Sequence, residues 1–171
     1  MAESGKGFTS EERTMINRVL DLQHRTVRSA MKLMSEAVTI SLAEPVSKAM
    51  DLCRDKKLTR LPVLDSRGGA SRIVGLISMN TVLYQADLDP AKPVSDFLKP
   101  ALYVEEGMRL EDALRRMQRS GQRLGIVLGR DRREIGILTL QDVLRVIFGE
   151  VSLSGEVRSV SRMESRLYRN F

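Results

Sequence analysis

The 171 residues suit one large domain or two small ones of roughly 60–80 residues each. Hydrophobic residues make up 42% and charged residues 29%, an ordinary globular balance, while a single Cys and a single His exclude an internal disulfide and argue against a zinc cage. The net charge of +6 is spread along the chain without a basic block, and 4% aromatic residues with no Trp offer little to stack on bases, which argues against a nucleic-acid partner.

In chain order, residues 1–10 (MAESGKGFTS) have the composition of a disordered lead. A helix is predicted from Ser10 or Glu11, with Met15, Val19 and Leu22 sharing a face with Ile16 and Leu20. A strand is predicted over Ala37–Ser41. Pro45 then fits the first turn of a helix whose apolar face is Val46, Ala49, Met50 and Cys53. Arg60–Leu64 reads as a strand, and the polar, Gly-rich stretch Asp65–Arg72 as a hairpin loop. GLISMNTVL, from Gly75, is a short apolar run that ends in a hydroxyl residue and opens a helical pattern. Asp87–Pro93, with two prolines and two aspartates, reads as a linker.

The series then recurs. Ala101–Glu105 is a strand candidate, and Leu110, Ala113, Leu114 and Met117 repeat the earlier helix face 64 residues on. Gly121 is placed to stop that helix, and Arg123–Leu128 is the next strand. GILTLQDVL, from Gly136, repeats GLISMNTVL after 61 residues. In the tail 156–171, Val160, Met163, Leu167 and Phe171 fall on one helical side and Arg158, Arg162, Arg166 and Arg169 largely on the other. His24 has no partner that would make it a general base, and Cys53 reads as a small core residue. No paired carboxylates, nucleophile triad or metal cluster is evident, and the chain is expected not to be an enzyme.

The fold class is α/β: a strand–helix–strand–strand–helix unit written twice. That unit, with G-h-h-S/T-x-x-D at its last strand–helix junction, resembles a tandem CBS domain pair, the Bateman module, over about Thr26 to Val151. EERTMINRVLDLQHRTVRSAM from Glu11 resembles the lead-in of the CorC, hemolysin-like and CNNM (DUF21-associated) divalent-cation transport family. GILTLQDVLRVIFGEV from Gly136 is similar to that family's G-I-V-T-L-E-D-I-L-E-E-I-V-G-E-I signature. The resemblance implies two units about a pseudo-two-fold axis. Residues 1–25 would be linker and lead-in helix, 26–90 the first CBS domain, 91–151 the second and 152–171 a basic amphipathic tail. It further implies a homodimer through the CBS helices and a transmembrane transport domain in a longer parent chain. The parent would sit in the cell membrane with this pair on its cytoplasmic side, binding AMP, ADP or ATP as a regulatory signal. Whether Mg²⁺ accompanies the phosphates is left open.

The second junction has the chemistry for such a ligand. Thr139 presents a hydroxyl where a helix begins, and helix-start amides favour a phosphate. Asp142 suits the two ribose hydroxyls. The bland reading of the same residues is an N-cap and an acidic first turn. By resemblance to ligand-bound CBS pairs, Lys32, Leu58, Arg60 and Pro62 complete the site, with Leu58 and Pro62 near the base. The twin junction has Ser78, but Thr81 stands where the aspartate should be, so a weaker site is expected there. Two stretches depart from the family: Met31-Lys32-Leu33-Met34 replaces M-T-P-R, and the basic turn Gly129–Glu134 replaces D-E-Y-G-G. Lys32 either adds a phosphate contact or plugs the pocket. In the latter case the chain is a ligand-free dimerisation module.

Overall fold

The computed structural model describes residues 7–149. Helix α1 (Ser10–Asp21) starts where a capping box forms: Glu12 N–H donates to the Thr9 hydroxyl at 3.2 Å, and Thr9 N–H donates to the Glu12 carboxylate at 2.7 Å. A short helix α2 (Val27–Ala30), strand β1 (Lys32–Leu33) and a 3₁₀ turn at Met34–Glu36 lead into the first repeat. That repeat comprises β2 (Ile40–Ser41), α3 (Val46–Lys56), β3 (Arg60–Asp65), β4 (Arg72–Ser78) and α4 (Met79–Leu83). After a 3₁₀ turn at Val94–Phe97 the second repeat follows: β5 (Leu102–Glu105), α5 (Leu110–Ser120), β6 (Leu124–Leu128), β7 (Glu134–Thr139) and α6 (Leu140–Phe148). The predicted α/β duplication is what the chain forms. The first predicted strand shrinks to Ile40–Ser41, and residues 37–39 form an irregular connection from the 3₁₀ turn to it. Gly121 closes α5 at φ 64°, as expected, whereas its counterpart at the end of α3 is Lys57 at φ 55°. The expectations for residues 1–6 and for the tail lie outside the described residues.

Each sheet is mixed. β2 runs parallel to β3, which pairs antiparallel with β4; β5 runs parallel to β6, which pairs antiparallel with β7. The ladders slip at matching places, between Val63 and Leu64 and between Val127 and Leu128. The outer edges are closed by exchange. β1 precedes the first repeat in the chain, yet it adds to the second sheet, Lys32 opposite Ile137 and Leu33 opposite Gly136. Lys99, preceding the second repeat, bridges to Leu76 of the first sheet through two N–H···O bonds of 2.9 Å.

Gly75 and Gly136, matched in the sequence, are what this crossing requires. A Cβ on Gly136 would collide with the Lys32 carbonyl, and one on Gly75 with the Lys99 carbonyl. The lead-in segments repeat the exchange at their starts. Val27 and Arg28 donate to the carbonyls of Met108 and Glu106, while Val94 and Ser95 donate to those of Glu44 and Leu42.

The cores follow the same logic. Val94 and Phe97 pack with Val46, Ala49, Cys53, Leu61 and Ile77 of the first repeat. Leu22 and Val27 pack with Leu110, Met117, Leu138 and Val143 of the second. A third cluster, Ile73, Leu76, Leu124, Ile126 and Ile137, joins the two sheets, and Tyr103 adds a 3.1 Å hydrogen bond to the Ile73 carbonyl. Burial holds the Cys53 thiol above its ordinary pKa, in keeping with a core residue.

Candidate ligand site at the strand–helix junctions

β7 ends and α6 begins at Thr139, whose extended backbone (φ −100°, ψ 157°) is that of an N-cap. Asp142 N–H donates to the Thr139 hydroxyl at 3.2 Å, and Thr139 N–H donates to the Asp142 carboxylate at 2.9 Å. The Thr139 hydroxyl also donates to Asp142 Oδ2 at 2.7 Å. The Arg145 guanidinium, one turn on, reaches Oδ1 at 3.2 Å. Asp142 is the one buried charged side chain among the described residues, at 3% exposure, and both of its carboxylate oxygens have hydrogen-bond partners there.

Thr139 and Asp142 thus already occupy one another. The N-cap reading of these residues is a structural fact, and it leaves room for the other. A carboxylate has about four acceptor positions, and three of Asp142's are used. The bond to half-exposed Arg145 is the one that a ribose hydroxyl could replace at the lowest cost. The helix-start amides contribute less than expected. Leu140 N–H goes to the Arg123 carbonyl at 2.9 Å and Asp142 N–H to the Thr139 hydroxyl. Two of those amides are thus engaged, which leaves a larger share of any phosphate contact to side chains.

Lys32 is suitably placed for that. β1 sets it opposite Ile137, two residues before Thr139, and its side chain is exposed. Arg60, Leu58 and Pro62 sit differently in the backbone. Arg60 is registered opposite Ser78, Pro62 opposite Leu76, and the Thr59 carbonyl accepts from Met79 N–H at 2.9 Å. Backbone pairing therefore groups these three with the first junction, on the sheet that the interface cluster joins to the second. Pro62 is buried and Leu58 is 37% exposed.

The first junction is built from the same parts with one change. Ser78 makes no capping hydrogen bond from its side chain, and α4 spans only Met79–Leu83, against Leu140–Phe148 for α6. Thr81 has no carboxylate to return the cap. Sequence reasoning missed Lys99, which stands over this junction as Lys32 stands over the other. It also missed Arg145. The signal for Lys99 was present: Val27 and Lys32 recur as Val94 and Lys99, 67 residues on.

Two open clefts, of about 440 and 560 Å³, lie at the opposite ends of the sheets. In the first, Arg28 pairs with Glu106 and holds its carboxyl below the usual carboxylate range, and Arg130 N–H donates to Glu106 at 3.1 Å. The basic turn thus completes a local ion-pair network. No group of three or more His, Cys, Asp or Glu among the described residues could hold a metal ion.

The model of the CBS domain matches residues 26–86 and 94–149. The chain belongs to the CBS domain family. Its two copies form a tandem pair, and the pair is similar to proteins of the group that the sequence suggested. Relatives include the UPF0053 protein YhdP of Bacillus subtilis, 24% identical over 95% of this chain and 37% of its own length. The polyamine export protein of Haemophilus influenzae is 26% identical over 96% of this chain and 38% of its own length. The CBS pair therefore spans less than two-fifths of these relatives. Among solved structures, the CBS domain of the bacterial CNNM/CorC family Mg²⁺ transporter aligns with TM-score 0.76 and 26% identity, over 85% of this chain and 88% of that one. The same domain in complex with ATP aligns at 0.74 and 27%, covering 82% and 99%. CBSX2 in complex with AMP aligns at 0.61 and 28%, covering 70% and 94%.

Proposed function

We propose that this CBS pair is a non-enzymatic sensor that binds one adenine nucleotide at its second junction. The observation that carries the reading is the placement of Thr139 and Asp142 beside the exposed Lys32, in a fold shared with ATP- and AMP-bound CBS structures. Lys32 meets the phosphates, Thr139 orients one of them, and Asp142 accepts from the ribose in exchange for Arg145. Leu58, Arg60 and Pro62, expected at this site, belong by backbone pairing with the first junction. Ser78 and Thr81 leave the first junction weaker. Mg²⁺ arrives, if at all, on the phosphates.

The module acts in a longer chain, on the cytoplasmic side of a membrane domain that moves divalent cations, and pairs with a second copy through its helices. The nucleotide biases that domain only so far as it binds one arrangement of the helices better than another. The second reading, a dimerisation module without ligand, is favoured by one observation: the Asp142 carboxylate is already satisfied from within.

Thermal unfolding separates the two. A nucleotide at a hundredfold excess over Kd stabilises by about 2.7 kcal/mol, which for a chain of this size raises Tm by roughly 5–10 °C. Asp142→Asn keeps an acceptor for Thr139 N–H and removes the charge; the rise is expected to vanish while the variant stays folded. No rise in the parent with AMP, ADP or ATP, with or without Mg²⁺, overturns the sensor reading.

A further inference from the structure

We infer that the cleft between α2 and the β6–β7 turn binds a phosphate group, at a site separate from the strand–helix junctions. Its cavity of about 440 Å³ is lined by Arg28, Arg130 and Arg132, together with Thr26, Glu105 and Glu106. It lies at the Leu128 end of β6, whereas Thr139 pairs with Leu124 at the other end. The five residues of β6 put about 13 Å between the two places.

Glu106 builds this site and does not block it. Its carboxylate takes the Arg28 guanidinium from one wall and Arg130 N–H, at 3.1 Å, from the other. Its charge is thereby neutralised, and α2 and the turn are held on opposite sides of one cavity. The turn is closed by its own backbone: Gly129 N–H donates to the Arg133 carbonyl and Arg132 N–H to the Gly129 carbonyl, both at 2.9 Å. Arg130 and Arg132 are exposed there, and among the described residues neither guanidinium has a hydrogen bond or an ion pair. Three arginines thus face two carboxylates, one of them already neutralised. Phosphate oxygens match the guanidinium fork, and a tetrahedral anion can be gripped by two forks at once.

The first repeat has the same cleft without this chemistry. Arg28 N–H donates to the Glu106 carbonyl and Ser95 N–H to the Leu42 carbonyl, so Ser95 and Leu42 stand where Arg28 and Glu106 do. The one arginine that lines it, Arg67, is held on both oxygens of Asp65 at 2.9 Å. The fold opens a cleft in each repeat, and the second alone lines it with guanidiniums that no carboxylate holds.

Nuclear magnetic resonance titration of the full chain with sodium pyrophosphate, at constant ionic strength, tests this. The amides of Arg28 and of residues 129–133 are expected to shift along one saturable isotherm, while those of Ser66 and Arg67 stay still. Arg132→Gly keeps the turn, because the φ of 60° at that position suits glycine. It is expected to weaken binding roughly tenfold with Tm unchanged or raised, and Arg130→Gln to weaken it as much. Asp142→Asn, which empties the nucleotide site, is expected to leave the isotherm of these amides as it was. Sedimentation with phosphatidylcholine vesicles that carry phosphatidic acid, lost in Arg132→Gly, assigns the phosphate to a lipid headgroup; pyrophosphate binding without sedimentation assigns it to a soluble compound. Shifts that are equal in both clefts, or that do not saturate, overturn the inference. So do Arg132→Gly and Arg130→Gln binding as the native chain does, and so does an isotherm abolished by Asp142→Asn, which would place the anion at the junction.

Discussion

At the scale of single residues, the two copies expose what each position is for. Lys57 and Gly121 both end a helix in the left-handed region, but only one is a glycine. A side chain there costs about 1 kcal/mol or more, because Cβ crowds the following carbonyl. Lys57→Gly is therefore expected to stabilise the protein by roughly 0.5–1 kcal/mol, after the glycine's own chain entropy is deducted. Thermal unfolding of the variant checks it, and an unchanged or lower Tm contradicts it. Asp142 shows the reverse situation, one side chain with a capping duty in the fold and a proposed second duty toward ligand. Its three hydrogen bonds hold the start of α6, so Asp142→Ala is expected to lose about 1 kcal/mol of stability along with the ligand. That double role was only half legible. T-x-x-D at a helix start announces a capping box first and a sugar-binding pair only within a resemblance, and Arg145, which meets the carboxylate, lies just beyond the motif.

At the scale of elements, legibility tracked how local the cause was. The α3 and α5 faces repeat at 3, 4 and 7 residues, and their periodicity alone places them. β1 has two residues, and no local pattern marks a strand whose partner lies a hundred residues away in the chain. The glycines were visible as matched residues, yet their purpose was not, because only the crossing strand shows why a methyl is forbidden. Gly136→Ala is thus expected to displace β1 from the second sheet. The amides of Lys32 and Leu33 should lose protection by hydrogen exchange while those of β5 and β6 keep theirs. Retained protection at β1 would show that the Lys32 carbonyl moves aside easily. The same placement explains why Lys99 escaped notice. It matters through the strand it crosses, and neither copy's helical period includes it.

At the scale of the whole molecule, exchange makes one body of two repeats. The first core needs Val94 and Phe97 from the segment before the second repeat, and the second core needs Leu22 and Val27 from the segment before the first. Neither repeat can bury its apolar face with its own residues, which ties the geometry of one junction to that of the other. A ligand that draws Lys32 toward Thr139 pulls on β1, and through it on the lead-in helix α1. The unequal junctions, Asp142 against Thr81, make one site per chain the central expectation. Isothermal titration of the native chain with ATP, ADP and AMP is the most direct measurement of it. The account predicts saturable binding near one nucleotide per chain, abolished by Asp142→Asn and retained by Thr81→Ala. Two equal sites, or binding that survives Asp142→Asn and is lost with Thr81→Ala, would contradict it.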